Sequence, residues 1–285
     1  MTKRAPAGRA ASEAGAYKPR PELNVGRLDG EPDTSSNPAP AVARAVRIVN
    51  YLLAAPDGAG VTEIAQALSM NKSTCFDILK TLTAFQVLTK HPRYAIYRLG
   101  PLLVQWGMAS RRQLSGRTHI RESLRTLVSD IGLICLVAQV LADEHGIVVV
   151  DRVEPARQDA LTIPVGYVVP LSAPAMGRVV LSYMDEPEAL RIARRLNMIN
   201  GSQEPAFLDQ MHRIRRVGYA TSAGEFRPEF NAVASAITRG NAEIVSLLCI
   251  AGYTHHLPAA DLDRLGERLS GLARELESHA STASV

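Results

Sequence analysis

Up to about residue 40 the chain shows neither the helical nor the two-residue apolar period, and its Ala, Gly, Pro, Ser and charged residues run into EPDTSSNPAP. Such a stretch has too little apolar surface to offset the entropy of ordering, so residues 1–40 are expected to form a disordered arm. From Ala41 the pattern changes. Val42, Ala45, Val46, Ile48, Val49, Leu52 and Leu53 recur at helical spacing, and the helix must stop before PDGAG. Thr62 offers a capping hydroxyl to a short second helix carrying Ile64, Ala65 and Leu68. Asn71 offers its side-chain carbonyl oxygen to a third, which is expected to bury Phe76, Ile78, Leu79 and Leu82. The following QVLTKHPRYAIYRLG reads as two short alternating strands around the turn HPRY. Three helices and a hairpin over residues 41–100 predict a winged helix-turn-helix, in which the N-terminal end of the third helix meets the DNA major groove.

The pattern beyond residue 100 predicts a second domain. Arg111, Arg112, Arg117, Arg121 and Arg125, with the single acid Glu122 among them, mark a basic helical connector from Leu102 to about Asp130. Leu103, Trp106, Leu124, Leu127 and Ile131 are its apolar side. Residues 101–117 are taken as a linker helix and 118–285 as an effector-binding and oligomerisation domain. CLVAQVLA, GIVVVDRV, ALTIPV and EIVSLLCIA read as strands bounded by Gly, Asp and Pro, with helices at 175–184, 186–196 and 205–217 between them. The fold class is therefore α+β with a mainly antiparallel sheet. Leu262, Leu265, Leu269, Leu272 and Leu276 form one stripe on the last helix, read as core packing rather than a dimer seam.

Composition agrees with two globular domains: 285 residues, 46% apolar and 21% charged. A net charge of +4 permits a polyanionic partner without demanding one. Its placement is more telling. Between Ala41 and Ser110 seven basic residues face three acidic ones, so this short segment carries a net charge equal to that of the whole chain. Lys72, Ser73, Thr74, Asp77 and Lys80 on the third helix, with Lys90 and Arg93 on the wing, are the candidate DNA contacts. Asp77 repels phosphate but can accept a hydrogen bond from a cytosine amine; the bystander role is preferred. Cys75, Cys135 and Cys249 form no C-x-x-C pair, which fits a reducing compartment and a cytoplasmic protein. The run ICLVAQVLA is broken by Gln139 and is well short of the roughly 18 residues of a membrane span, so no membrane partner is expected.

The segment AVARAVRIVNYLLAAPDGAGVTEIAQALSMNKSTCFDILKTL, followed by YRLGPLLVQWG, resembles the DNA-binding half of the IclR-type bacterial transcriptional regulators. IVVVDRVEP, IPVGYVVPLSAPAMGRVVLSY, IRRVGYATSAGEF, NAVASAI and EIVSLLCIAGY then follow in the order of that family's effector-binding half, so the resemblance spans Ala41 to Leu276. It implies a GAF-like second domain and a homodimeric or homotetrameric repressor or activator. Such a protein binds a palindromic double-stranded operator with an affinity that a small organic molecule alters. By the same resemblance the effector pocket would comprise Ala175, Met176, Ser222, Phe230, Ala232, Cys249 and Ala251. Several family members carry acidic or hydroxyl side chains at some of these places, whereas Met176, Phe230, Ala232 and Ala251 are apolar here. Ser172 and Pro174 sit where a helix begins, and free amides at such an end favour a carboxylate. The expected effector is an aromatic or medium-chain acid.

Two rival readings carry different chemistry. Ala220-Thr221-Ser222-Ala223-Gly224 is a near miss to the G-x-S-x-G elbow of a hydrolase using Ser222, but the elbow needs a strand before the serine and a helix after it. A basic helical segment with Arg213, Arg215 and Arg216 precedes it, and Pro228 follows soon after. The other rival is a DNA-binding regulator that responds to no ligand. His255 and His256 are adjacent rather than a turn apart, and neither G-x-G-x-x-G nor a Walker loop is present, so no metal or cofactor is expected.

Overall fold

The computed structural model describes residues 39–114, 118–141, 146–157, 159–239 and 243–282. The expected arm, apart from residues 39 and 40, and Arg117 of the connector lie outside them.

The first helix, α1 (Pro40–Leu53), opens on a proline, whose missing N–H costs nothing in a first turn, and buries Ile48 and Leu52 one turn apart. A two-residue strand β1 (Ala59–Gly60) leads into α2 (Val61–Ala67). Gly60 rather than Thr62 occupies the N-cap, so the expected Thr62 cap is corrected: the helix begins two residues earlier and Thr62 falls inside its first turn. Asn71 does cap α3 (Lys72–Ala84), its Oδ1 accepting from the Ser73 amide at 3.0 Å and from the Ser73 hydroxyl at 2.8 Å. β2 (Leu88–Lys90) and β3 (Ile96–Leu99) form the wing, and β1 joins them to give the order β1-β3-β2.

Ile48, Leu52, Ile64, Cys75, Leu79, Leu88 and Tyr97 fill the core of this unit. Phe76, expected inside, is 44% exposed. Cys75 and Leu79 stand one turn apart on the inward side of α3, with Ile78 and Leu82 flanking them, and a residue next to Cys75 is turned about 100° away.

The connector consists of two helices, α4 (Leu102–Leu114) and α5 (Thr118–Ile131). Leu124 and Leu127 of α5 are buried in the second core, whereas Val104, Trp106 and Met108 of α4 are exposed. Trp106, expected to pack, therefore does not do so within this chain.

Six strands follow: β4 (Ile134–Val140), β5 (Ile147–Val153), β6 (Val168–Val169), β7 (Tyr219–Arg227), β8 (Phe230–Arg239) and β9 (Glu243–Tyr253). Their order is β6-β5-β4-β9-β8-β7, with every neighbouring pair antiparallel. One face packs on α6 (Pro174–Ser182), α7 (Glu186–Arg195) and α8 (Glu204–Val217); the other packs on α5 and α9 (Leu262–Thr282). Leu262, Leu265, Leu269 and Leu276 are buried in that second layer, so the leucine stripe is core.

Two strand expectations need correction. ALTIPV is irregular rather than a strand, and the sheet edge is taken by Val168–Val169 instead. The β7–β8 hairpin, closed by Pro228 and Glu229, supplies two further strands, and Ser222 lies within β7. Among the described residues no helix is long and apolar enough to cross a membrane.

Candidate functional site

Two surfaces carry candidate function, and α3 with the wing makes the first. Lys72, Ser73, Phe76, Asp77 and Lys80 are exposed along α3, and Thr74 is half-buried. Ser73 already donates to Asn71, so its hydroxyl holds the helix mouth in shape and leaves its lone pairs to accept from a base amine. Phe76 is the residue that the sequence reading missed: an exposed aromatic ring between Lys72 and Lys80, of a kind that packs against a thymine methyl.

On the wing, the His91 Nδ1 accepts from the Arg93 amide at 3.2 Å, which tightens the turn and holds Arg93 and the 68% exposed Tyr94 at its tip. Lys90 places its ammonium 5.5 Å from the centre of the Tyr97 ring. Arg98 donates to the Asp57 carbonyl at 3.0 Å, fastening β3 to the loop after α1. Cys75 is buried on the inward side of α3, and burial raises its pKa, which disfavours the reactive thiolate. Changing Lys72 or Arg93 to Ala is expected to weaken DNA binding and to reduce the log-log salt slope by about one unit each, with folding unchanged. Asp77→Ala should raise affinity for all sequences alike. Fluorescence anisotropy at several salt concentrations checks both.

A cavity of about 180 Å³ between the sheet and the start of α6 makes the second surface. Its floor is a row across three adjacent strands: Ser222 is paired with Ala232, and Ala232 with Ala251. Cys249 and Leu136, themselves a cross-strand pair, continue it. Three of these five side chains are Ala or Cys, and their small volume is what leaves the hollow. Ala173, Pro174, Ala175 and Met176 form the roof, and the segment 161–164 with Tyr167, Phe226, Arg227 and Phe230 forms the wall and mouth.

The cavity thus gathers Ala175, Met176, Ser222, Phe230, Ala232, Cys249 and Ala251. Ser172 is not among them. It lines a separate hollow with Arg178, Met198 and Phe207, because the chain turns at Ala173 and sends consecutive side chains to opposite sides of the helix start. Pro174 has no N–H to offer a ligand, so the amide end is poorer than expected.

Polar groups are few and therefore informative. Ser222 is 2% exposed, and its hydroxyl has no hydrogen-bond partner. A buried hydroxyl left in that state costs about 1–3 kcal/mol, which a ligand can recover. Of the described residues that line the cavity, Arg227 alone is charged, and it stands exposed at the mouth. The sequence reading missed Arg227, which reaches this place only because β7 bulges between Ala223 and Arg227, where Gly224 takes φ +69°. The Cys249 thiol is pushed up to about 12 by burial, so it meets a ligand as a small neutral apolar group.

Comparison with known proteins decides the family. A model of the IclR helix-turn-helix domain matches residues 41–92, and one of the bacterial transcriptional regulator IclR C-terminal domain matches residues 112–278. The chain belongs to the IclR family. It is a DNA-binding transcriptional regulator and not an enzyme, and the strand running on past Ser222 to Arg227 also lacks the turn a nucleophile elbow requires. Among similar regulators, BhcR of Paracoccus denitrificans is 25% identical over 90% of this chain and 92% of its own length. The repressor AllR of Salmonella typhi is 23% identical over 89% of this chain and 94% of its own length. The crystal structure of an IclR regulator from Alicyclobacillus acidocaldarius superposes with a TM-score of 0.71 at 26% identity, covering 84% of this chain and 98% of that one.

Proposed function

We propose that this IclR-family regulator binds a palindromic operator in the cytoplasm as a homodimer or homotetramer, and that an aromatic or medium-chain organic acid in the cavity changes its operator affinity. The carrying observation is the makeup of the cavity: an apolar floor and roof, one buried hydroxyl without a partner, and one cation at the mouth. A small, highly hydrated oxo-acid would lose water to apolar walls and recover little, whereas an apolar body with one charged end matches them. The carboxylate is assigned to Arg227, the body to Met176, Phe230 and the alanine row, and Ser222 donates to an acceptor on the ligand. The exposed Val104, Trp106 and Met108 on α4, with Val42, Val46 and Leu53 on α1, support self-association by offering apolar surface to a second copy.

Calorimetric titration with glyoxylate, pyruvate, benzoates and phenylacetates tests the ligand. An aromatic acid should bind most tightly, and Arg227→Ala should weaken it by about tenfold, the loss of one charge-assisted contact. Tighter binding of both oxo-acids than of any aromatic acid would refute the apolar-acid assignment. Binding by no member of the panel would favour a regulator that acts without a ligand.

A further inference from the structure

The cavity wall and the connector are tied to the same short piece of strand. Asp151 and Arg152 are consecutive on β5, so their side chains leave the strand in opposite directions. Asp151 is 4% exposed, and its Oδ2 receives the Arg121 guanidinium of α5 at 2.6 Å while its Oδ1 accepts the Arg152 amide at 2.9 Å. Arg152 donates from Nη1 to the carbonyl of Ile163 in the cavity wall at 2.6 Å, and its Nη2 lies 3.1 Å from Glu154. The Tyr167 end of that wall also hangs on β5, for the Gly166 amide donates to the Val149 carbonyl at 2.8 Å and the Val149 amide to the Tyr167 carbonyl at 2.9 Å. Both α4 and α5 pack on this strand. Between the wall residue Ile163 and the helix that continues the connector there are therefore only two side-chain contacts and one peptide unit.

We infer that Arg121, Asp151 and Arg152 are positioning residues that make the cavity wall and the connector move as one body, so that a ligand displacing residues 161–164 shifts α5. This rests on the cavity being the effector site, but the contacts themselves need no ligand to be tested. A buried carboxylate cannot lose its guanidinium without a large penalty, so the Arg121–Asp151 contact behaves as a rigid joint rather than a sliding one. Small changes at such joints shift populations only when both ends respond to the same element, which is what β5 supplies.

Hydrogen exchange on the full-length protein without ligand tests the joint. Arg121→Gln should speed exchange of the α5 amides and also, by about tenfold, of the Gly166 and Tyr167 amides in the wall. Arg152→Gln should do the converse, loosening α5 from the wall side, while Arg121→Lys, which keeps the cation, should restore part of the wall's protection. Amides of β8 and β9 should be unchanged in all three. Acceleration at α5 alone in Arg121→Gln, or equal acceleration across the whole sheet, would overturn the inference. Neither result depends on whether any acid binds, so a failed ligand titration and a failed coupling experiment remain distinct.

Discussion

Leu79→Ala is expected to abolish operator binding while leaving the second domain folded. Leu79 is fully buried where α3 meets α1, α2 and the wing, within a core of nine described residues. Truncating such a leucine costs about 2–5 kcal/mol through lost transfer energy and the cavity left behind. A domain of this size has a net stability of only a few kcal/mol, so the loss is comparable with the whole. Denaturant unfolding followed by circular dichroism should lose its winged-helix transition and keep the one belonging to the six-stranded sheet. Retained operator affinity would show that α3 is not held in place by this core.

Gly177→Val should do the opposite, destroying the ligand cavity and sparing the DNA-binding face. A Cβ at Gly177 would lie 1.9 Å from the Leu171 carbonyl oxygen and 2.8 Å from its carbon. Both are backbone atoms that no rotamer change can withdraw. Relief requires moving the start of α6, which is the cavity roof, or the segment before it that carries Leu171 and Ala173. The expected cost is about 3 kcal/mol or more, at the upper end of overpacking effects because the obstacle is main chain. Calorimetry should find no binding of phenylacetate, while DNA affinity without ligand should stay within about threefold of the parent. Unaltered ligand binding would mean that α6 does not roof the site.

The legible parts of this fold are those in which local chemistry and packing agree. Asn71 before a polar helix mouth, the 3.6-residue apolar spacing of α1 and the leucine stripe of α9 each point to one structure, and each is found. The misses occur where tertiary contact overrides the local signal. ALTIPV has the alternation of a strand, but Arg152 takes the Ile163 carbonyl and the chain becomes cavity wall. β7 contains Gly224 and Glu225, both poor strand formers, yet pairing with β8 carries it through a bulge. Phe76 resembles a core residue until Cys75 and Leu79 occupy the inward face of α3.

The same division holds at the cavity. The family resemblance points to Ser222, Ala232, Cys249 and Ala251, which the strand register then sets side by side. Arg227 and the wall at 161–164 carry no local mark of a binding role. The bulge in β7 and the Arg152 contact to Ile163 bring them to the mouth, and neither is written in periodicity or spacing.

The most direct measurement is operator affinity with and without phenylacetate, in the parent protein and in Ala251→Phe, whose ring would occupy the cavity floor. The operator would first be recovered by selection from random DNA. The account predicts that the acid changes the parent's affinity by at least about fivefold, the lower range of coupling between two sites, and leaves that of Ala251→Phe unchanged. Equal affinity with and without acid in the parent, or an equal response in the filled variant, would contradict it.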